Sequence, residues 1–432
     1  MALKDTFCSS PWLHAKIAHN GQLHFCRWST EKKLKIDSTN NIQNVEPIEF
    51  FQKNLSSVRQ DILDGKSNNQ CQECFQEDQH GKVSGRQRQL LKVGVSVDNF
   101  EKTLQSSTII DELKYSLENQ GETNYLPIDW QVDLGNYCNG GCIYCGPEYS
   151  STLASEFKKI GWIDELPDKN WTDSPELIDK FVNTLRKTER LAYIHFLGGE
   201  TVITPAFKKI LKALISNGIS KQISIGFTTN LTVWNQEIID MLTEFKEVNL
   251  GMSLECFHPV NDYVRYPSQI ESVTETTKRW VNVGNKNNWL MQFRITPSNL
   301  TLLHLSSVYD FAYNNQISVE SCNFLNEPKH MRVSTLPEAQ RKEIIDKLKK
   351  WIDGCNFNET QEKIINTRDP SQVKIQIIQD AQSYINYLEN EPYETERLPQ
   401  LVKYLKKLEL SRKNSILDYL PEYEQILRTA GY

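Results

Sequence analysis

A chain of 432 residues is too long for one typical core and suggests two or three domains of about 150 residues each. Its 39% hydrophobic and 24% charged residues describe a soluble globular protein, and no apolar run approaches the roughly 20 residues of a membrane span, which sets membranes aside. A net charge of −6 gives no general attraction to phosphate backbones, so nucleic acid is not favoured as a partner.

In chain order, the opening "MALKDTFCSSPW" has no charged-then-apolar signal pattern, so the ten cysteines are expected to face a reducing cytoplasm as thiols or metal ligands. Residues 1–95 carry few long periodic segments and an Asn/Gln/Ser-rich middle, "DSTNNIQN" and "GKSNNQ". A loop-rich domain organised by a metal fits that composition, and Cys8, Cys26, Cys71 and Cys74 fall within it. His14, His19 and His24 lie between two of these cysteines and read as structural histidines. "NFEKTLQSSTIIDELKYSLENQGE" then predicts one or two helices in a linker over 96–125.

From 126 to 325, strand-like runs alternate with longer amphipathic stretches: "IDWQVDL", "LAYIHFL", "KQISIGFTTN", "VNLGMSLEC" and "WLMQFRITP", separated by segments such as "SPELIDKFVNTLRK". The alternation predicts an α/β fold with a parallel sheet, open or partly closed into a barrel. Ligands of such sheets sit at the carboxyl ends of the strands, and Gly-rich and polar residues follow these strands. Beyond 326 the chain reads as a helical region. "LPEAQRKEIIDKLKKWIDG" places Ile344, Ile345, Leu348, Trp351 and Ile352 at helical spacing, and lysine runs such as "DKLKK" read as solvated faces. Cys322 and Cys355 read as small buried hydrophobes.

The densest signal is "CNGGCIYC", which follows the "IDWQVDL" strand with Cys138, Cys142 and Cys145. Tetrahedral zinc needs four ligands, and no fourth cysteine or near histidine closes this loop. A cuboidal four-iron cluster has four corners, so three thiolates leave one iron open to another ligand, and Gly140 and Gly141 let the backbone wrap closely.

These residues resemble the hallmark of the radical S-adenosylmethionine (SAM) superfamily, C-x-x-x-C-x-x-C with an aromatic before the third cysteine, here Tyr144. The resemblance implies a partial (β/α)6 TIM-like barrel over 126–325 holding a 4Fe-4S cluster. SAM would chelate its open iron, and its reductive cleavage would yield a 5′-deoxyadenosyl radical that abstracts a substrate hydrogen. "FLGGET" resembles the family's G-G-E segment, which implies Gly198, Gly199 and Glu200 as SAM-binding. In "SLECFHPVNDYVR" the resemblance implies that Ser253 and Arg265 hold the SAM carboxylate, a guanidinium matching a carboxylate in fork geometry. Asn230 of "FTTN" and Thr296 of "RITP" stand where ribose or adenine contacts occur in relatives. Cys256, at the predicted end of a barrel strand, is a candidate hydrogen-atom donor to a substrate radical.

"CSSPW", "GQLHFC" and "CQECFQE" resemble the cysteine segments of SPASM and twitch auxiliary-cluster domains, which implies that Cys8, Cys26, Cys71 and Cys74 hold a second 4Fe-4S cluster. Zinc competes there, since four cysteines with one C-x-x-C suit it too. The resemblance also implies a low-potential donor of flavodoxin or ferredoxin type. By analogy the substrate is a peptide or protein. The alternatives are oxidation of a sugar, aminoglycoside or nucleotide, or a non-enzymatic zinc-stabilised binding protein.

Overall fold

The computed structural model describes residues 3–27, 38–79, 84–167, 169–321, 325, 327–355 and 370–432. Its strands are β1 (His14–Ile17), β2 (Leu23–His24), β3 (Asp129–Asp133), β4 (Tyr193–Leu197), β5 (Ser224–Thr229), β6 (Glu247–Ser253), β7 (Leu290–Ile295) and β8 (Ser318–Ser321). They form one sheet in the order β2-β1-β3-β4-β5-β6-β7-β8, in which only the β1–β2 pair is antiparallel. β3 to β8 are six parallel strands of an α/β sheet that stays open, with β2 and β8 as its edges. The expected fold class is therefore the observed one, including the helical carboxyl-terminal region.

Side-chain alternation gives the sheet two different faces. Trp130, Phe196 and Phe227 point toward the crossover helices, where Trp130 meets Phe181 edge-on at 5.4 Å and Phe196 meets Phe207 at 5.1 Å. The helix Pro175–Arg186 supplies that cover because Ser174 caps it and Ile178, Phe181, Val182 and Leu185 recur on one buried face. The other face carries Gln131, His195, Asn249 and Arg294, so polar groups occupy the inside of the sheet.

Three strands, β1, β2 and β8, were not legible as strands. β1 is four residues long, yet it pairs parallel with β3 from His14↔Asp129 to Ile17↔Val132, which joins the amino-terminal segment to the sheet. β8 is equally short, and its outer edge is covered by the helix Pro370–Asn390. There Gln376 accepts from Val319 N–H at 3.2 Å and donates to Val319 C=O at 2.5 Å, standing in for a further strand.

A second apolar cluster joins Phe7, Trp12, Ile62 and Leu90 to Phe100, Leu104, Ile109 and Leu113, so the helices Phe100–Gln105 and Ile110–Glu118 pack on the early segment. In the helix Glu338–Asp353, Ile344 and Leu348 are buried and Ile345, Trp351 and Ile352 partly so, as their spacing predicts. Cys355 is half-buried, not a core residue, and Cys322 lies outside the described residues. Among the described residues no helix is long and apolar enough to cross a membrane.

Candidate active site

β3 delivers the chain into the three-cysteine loop at the carboxyl end of the sheet, and β4 delivers the G-G-E segment beside it. Gly199 N–H donates to Gly135 C=O at 2.8 Å, and Glu200 N–H donates to Tyr137 C=O at 2.6 Å. A Cβ on Gly199 would run into the Tyr137 carbonyl, so glycine is required for this close backing. Glu200 then turns inward: it is 1% exposed and its carboxylate accepts from Asn230 N–H at 2.6 Å and Val202 N–H at 3.2 Å. Burial outweighs those donors and pushes its pKa up to about 7.

Within the loop, Gly140 N–H donates to Cys138 Sγ at 3.4 Å, and a Cβ on Gly140 would lie 3.7 Å from both Cys138 Sγ and Cys142 Sγ. Three thiols and a glycine cradle of this kind fit a cluster that fills the space between them. Burial raises all three thiols, Cys138 to about 11 and Cys145 to about 12, while Arg265 and Arg412 partly offset the rise at Cys142. Metal binding would favour the thiolates that burial opposes.

Three of the expected SAM-contacting residues, Tyr144, Arg265 and Thr296, converge on one carboxylate, Glu255. Glu255, 0% exposed, accepts from Tyr144 Oη at 2.6 Å, from Arg265 at 2.5 and 3.2 Å, and from Thr296 N–H at 2.7 Å. Burial opposes the Arg265 charge, but Tyr144 and Glu255 beside it more than offset that and raise its pKa. Arg265, Cys142 and Asn230 line a cavity of about 260 Å³ together with Asn139, Thr232 and Gln269. Asn230 is held there by Asn139 and Thr232, at 2.8 and 2.6 Å. Ser253 ends β6 in register with Arg294, outside the lining of that cavity. Cys256 is fully buried in the main apolar cluster.

The loop is also held from far along the chain, with no spacing signal to announce it. On the helix Leu398–Arg412, Arg412 donates to Gly141 C=O at 2.7 Å and forks onto Glu156, while Tyr404 Oη donates to Ile143 C=O at 2.6 Å.

Cys8, Cys26, Cys71 and Cys74 meet around a second cleft, lined also by Phe25 and Arg86. Burial raises Cys71, and the other three thiols raise it further, which places the four within electrostatic reach of one another. Since β1 runs parallel to β3 and β2 returns antiparallel, Cys8 and Cys26 lie at the amino end of the sheet, opposite the three-cysteine loop. The nine described cysteines are thiols and not disulfides. Among the described residues no group of three or more His, Cys, Asp or Glu could hold a single metal ion as the side chains stand.

Residues 132–312 match the family described as the Radical SAM superfamily. No curated protein matches the chain. Partial likenesses to solved structures include Streptococcus suis SuiB bound to precursor peptide SuiA, at 16% identity and a TM-score of 0.38, covering 67% of this chain and 60% of that one. Another is native anSMEcpe with bound AdoMet, at 15% and 0.38, covering 53% and 62%, and a third is TYW1 with a lysine-pyruvate adduct bound, at 13% and 0.28, covering 52% and 72%. The match thus spans about 60% of the length of SuiB. The cysteine loop, the G-G-E segment and strands β4 to β7 all lie inside the residues that match the Radical SAM superfamily.

Proposed function

We propose that this chain is a radical SAM enzyme that modifies a peptide or protein, with one 4Fe-4S cluster at Cys138, Cys142 and Cys145 and a second at Cys8, Cys26, Cys71 and Cys74. The observation that carries the reading is the meeting of the three-thiol cradle, Glu200 and Arg265 around one end of the sheet. When bound, the first cluster and SAM together supply one-electron cleavage of a sulfonium to a carbon radical able to take a hydrogen atom.

The chain's own residues bind and orient. Glu200, with Gly198 and Gly199 shaping its turn, receives the SAM amino group, and a cation there would favour its ionised form. Arg265 takes the SAM carboxylate on its remaining donors while Glu255 keeps the guanidinium in place. Asn230 and Thr296 offer polar groups to the nucleoside, and Tyr144 closes the loop over Glu255. Cys256 has no opening to a substrate and is given a packing role. The peptide assignment rests on the early cysteine segments, whose likeness is to auxiliary domains common in peptide-modifying enzymes.

The test is iron and sulfide content of anaerobically reconstituted protein, with dithionite-dependent formation of 5′-deoxyadenosine from SAM. About eight irons are expected in the parent chain, and about four in Cys142→Ala, which should make no deoxyadenosine. Zinc in place of iron, or full cleavage by Cys142→Ala, would remove the proposal.

A further inference from the structure

The helix that holds the three-cysteine loop from outside turns its other side to solvent. On Leu398–Arg412 the residues Leu401, Val402, Leu405 and Leu408 are buried, while Lys403, Lys406 and Leu410 are exposed, as is Lys413 just after the helix. Leu410 is 82% exposed, the most open large apolar side chain among the described residues. Lys403, Lys406 and Lys407 stand seven, four and three positions before it and Lys413 three after it, so helical spacing sets them all on its face.

The face extends onto the helix Ser151–Lys159, which Glu156 ties to Arg412 and which ends in the exposed Lys158 and Lys159. Just beyond, Trp162 stacks on Tyr404 at 4.9 Å and 15°, and Lys407 Nζ lies 5.0 Å from the centre of the Trp162 ring. Tyr404 in turn donates to Ile143 C=O, so the face stands two side chains from the cysteine loop.

Its charge is uncompensated. Among the described residues none of these six lysines forms an ion pair, whereas Lys208, Lys209, Lys212 and Lys221 elsewhere on the surface each pair with a carboxylate. Of the four acids within 156–166 and 398–413, Glu156 is forked by Arg412, and Glu409 accepts from Tyr263, Tyr432 and Ile416 N–H. That leaves Asp164 and Glu165 as the exposed ones.

We propose that this face docks an acidic protein that carries one electron, with Leu410 as the apolar contact and the lysines around it as the charged rim. Like charges gathered on one face steer and orient a partner of opposite sign, and an apolar side chain among them adds contact area that a purely solvated helix face lacks. From here one electron would pass to the cluster held by Cys138, Cys142 and Cys145. The carrier is oxidised by one electron, the cluster is reduced by one, and no atom or proton changes hands. The destination of the electron rests on the proposed function; the docking itself does not.

The test is calorimetric titration of the reconstituted full chain with an oxidised flavodoxin of strongly negative charge, at low and at raised salt. Binding is expected, and it should weaken as salt is raised. Leu410→Asp, at an open position where folding is not at stake, should weaken it at least about tenfold, and Lys403→Glu about three- to tenfold. Lys114→Glu, on the helix Ile110–Glu118 that packs on the early segment, changes the net charge as Lys403→Glu does and should bind like the parent. No binding, salt-independent binding, parent-like binding by Leu410→Asp, or an equal loss in Lys114→Glu overturns the face. Tighter binding of a mixed-sequence RNA oligonucleotide would reassign it to nucleic acid, and a dimer of the chain dispersed by Leu410→Asp would reassign it to a second copy; either result overturns the proposal. Deoxyadenosine formation driven by dithionite needs no docking, so its absence in the parent chain counts against the radical chemistry alone and leaves the binding result to be read by itself.

Discussion

At the scale of single residues, Glu200 and Glu255 are two enclosed carboxylates with opposite circumstances. Glu200 has only backbone and hydroxyl donors, and burial lifts its pKa from 4.5 to about 7. Its protonated form is therefore favoured by folding. The associated stability is whole below pH 4.5 and is lost as pH rises through about 7. Chemical denaturation of the SAM-free chain should show the parent losing about 3 kcal/mol more than Glu200→Gln over that window. Parallel pH profiles would show that Glu200 is ionised throughout. Glu255 instead has a partly buried guanidinium against it, and Glu255→Ala would leave Arg265 at the cavity wall without that charge. A loss of about 3–5 kcal/mol is expected, with a smaller loss for Glu255→Gln, which keeps an acceptor for Tyr144 and Thr296. Equal losses in the two variants would mean that the charge alone, and not the shape or the retained acceptor, holds the trio together.

At the scale of elements, the helix Leu398–Arg412 acts as a clamp on the three-cysteine loop. It donates hydrogen bonds to two backbone carbonyls of the loop, Gly141 and Ile143, and so fixes the path of the loop. Arg412→Ala should cost about 3 kcal/mol, because a partly buried Glu156 loses its fork and Gly141 loses a charged donor. Tyr404→Phe should cost about 1 kcal/mol. Hydrogen exchange gives the sharper readout: amides of 138–145 should exchange faster in Arg412→Ala while β4 to β6 keep their protection. Unchanged exchange in the loop would show that the clamp is mere packing.

At the scale of the whole molecule, strand direction sets two cysteine groups at opposite ends of one sheet with a polar inner face between them. β1 makes this possible: it brings an amino-terminal segment alongside β3, so a segment preceding the barrel in sequence still reaches the amino end of its strands. The two ends should then fail independently. Cys74→Ala is expected to lose about four irons yet bind SAM and cleave some of it, whereas Cys142→Ala loses cleavage. If Cys74→Ala keeps its fold but no longer binds SAM, the two groups are not separate. Loss of zinc in place of iron from Cys74→Ala would make the second site structural.

The local and the chemical parts of this protein were written in its sequence. The spacing of Cys138, Cys142 and Cys145, the glycines before Glu200 and the alternation behind β3 to β7 are short-range properties, since a cluster loop, a tight turn and a pleated strand each need particular residues within a few positions. Four-residue strands such as β1 and β8 carry too little periodicity to be seen, and they exist because a neighbouring strand or Gln376 completes their hydrogen bonds. Likewise Glu255 as the meeting point of Tyr144, Arg265 and Thr296, and Arg412 as a support 271 residues from Gly141, depend on separations that only packing closes. A charge can be read from a sequence, but its partner is chosen by the fold.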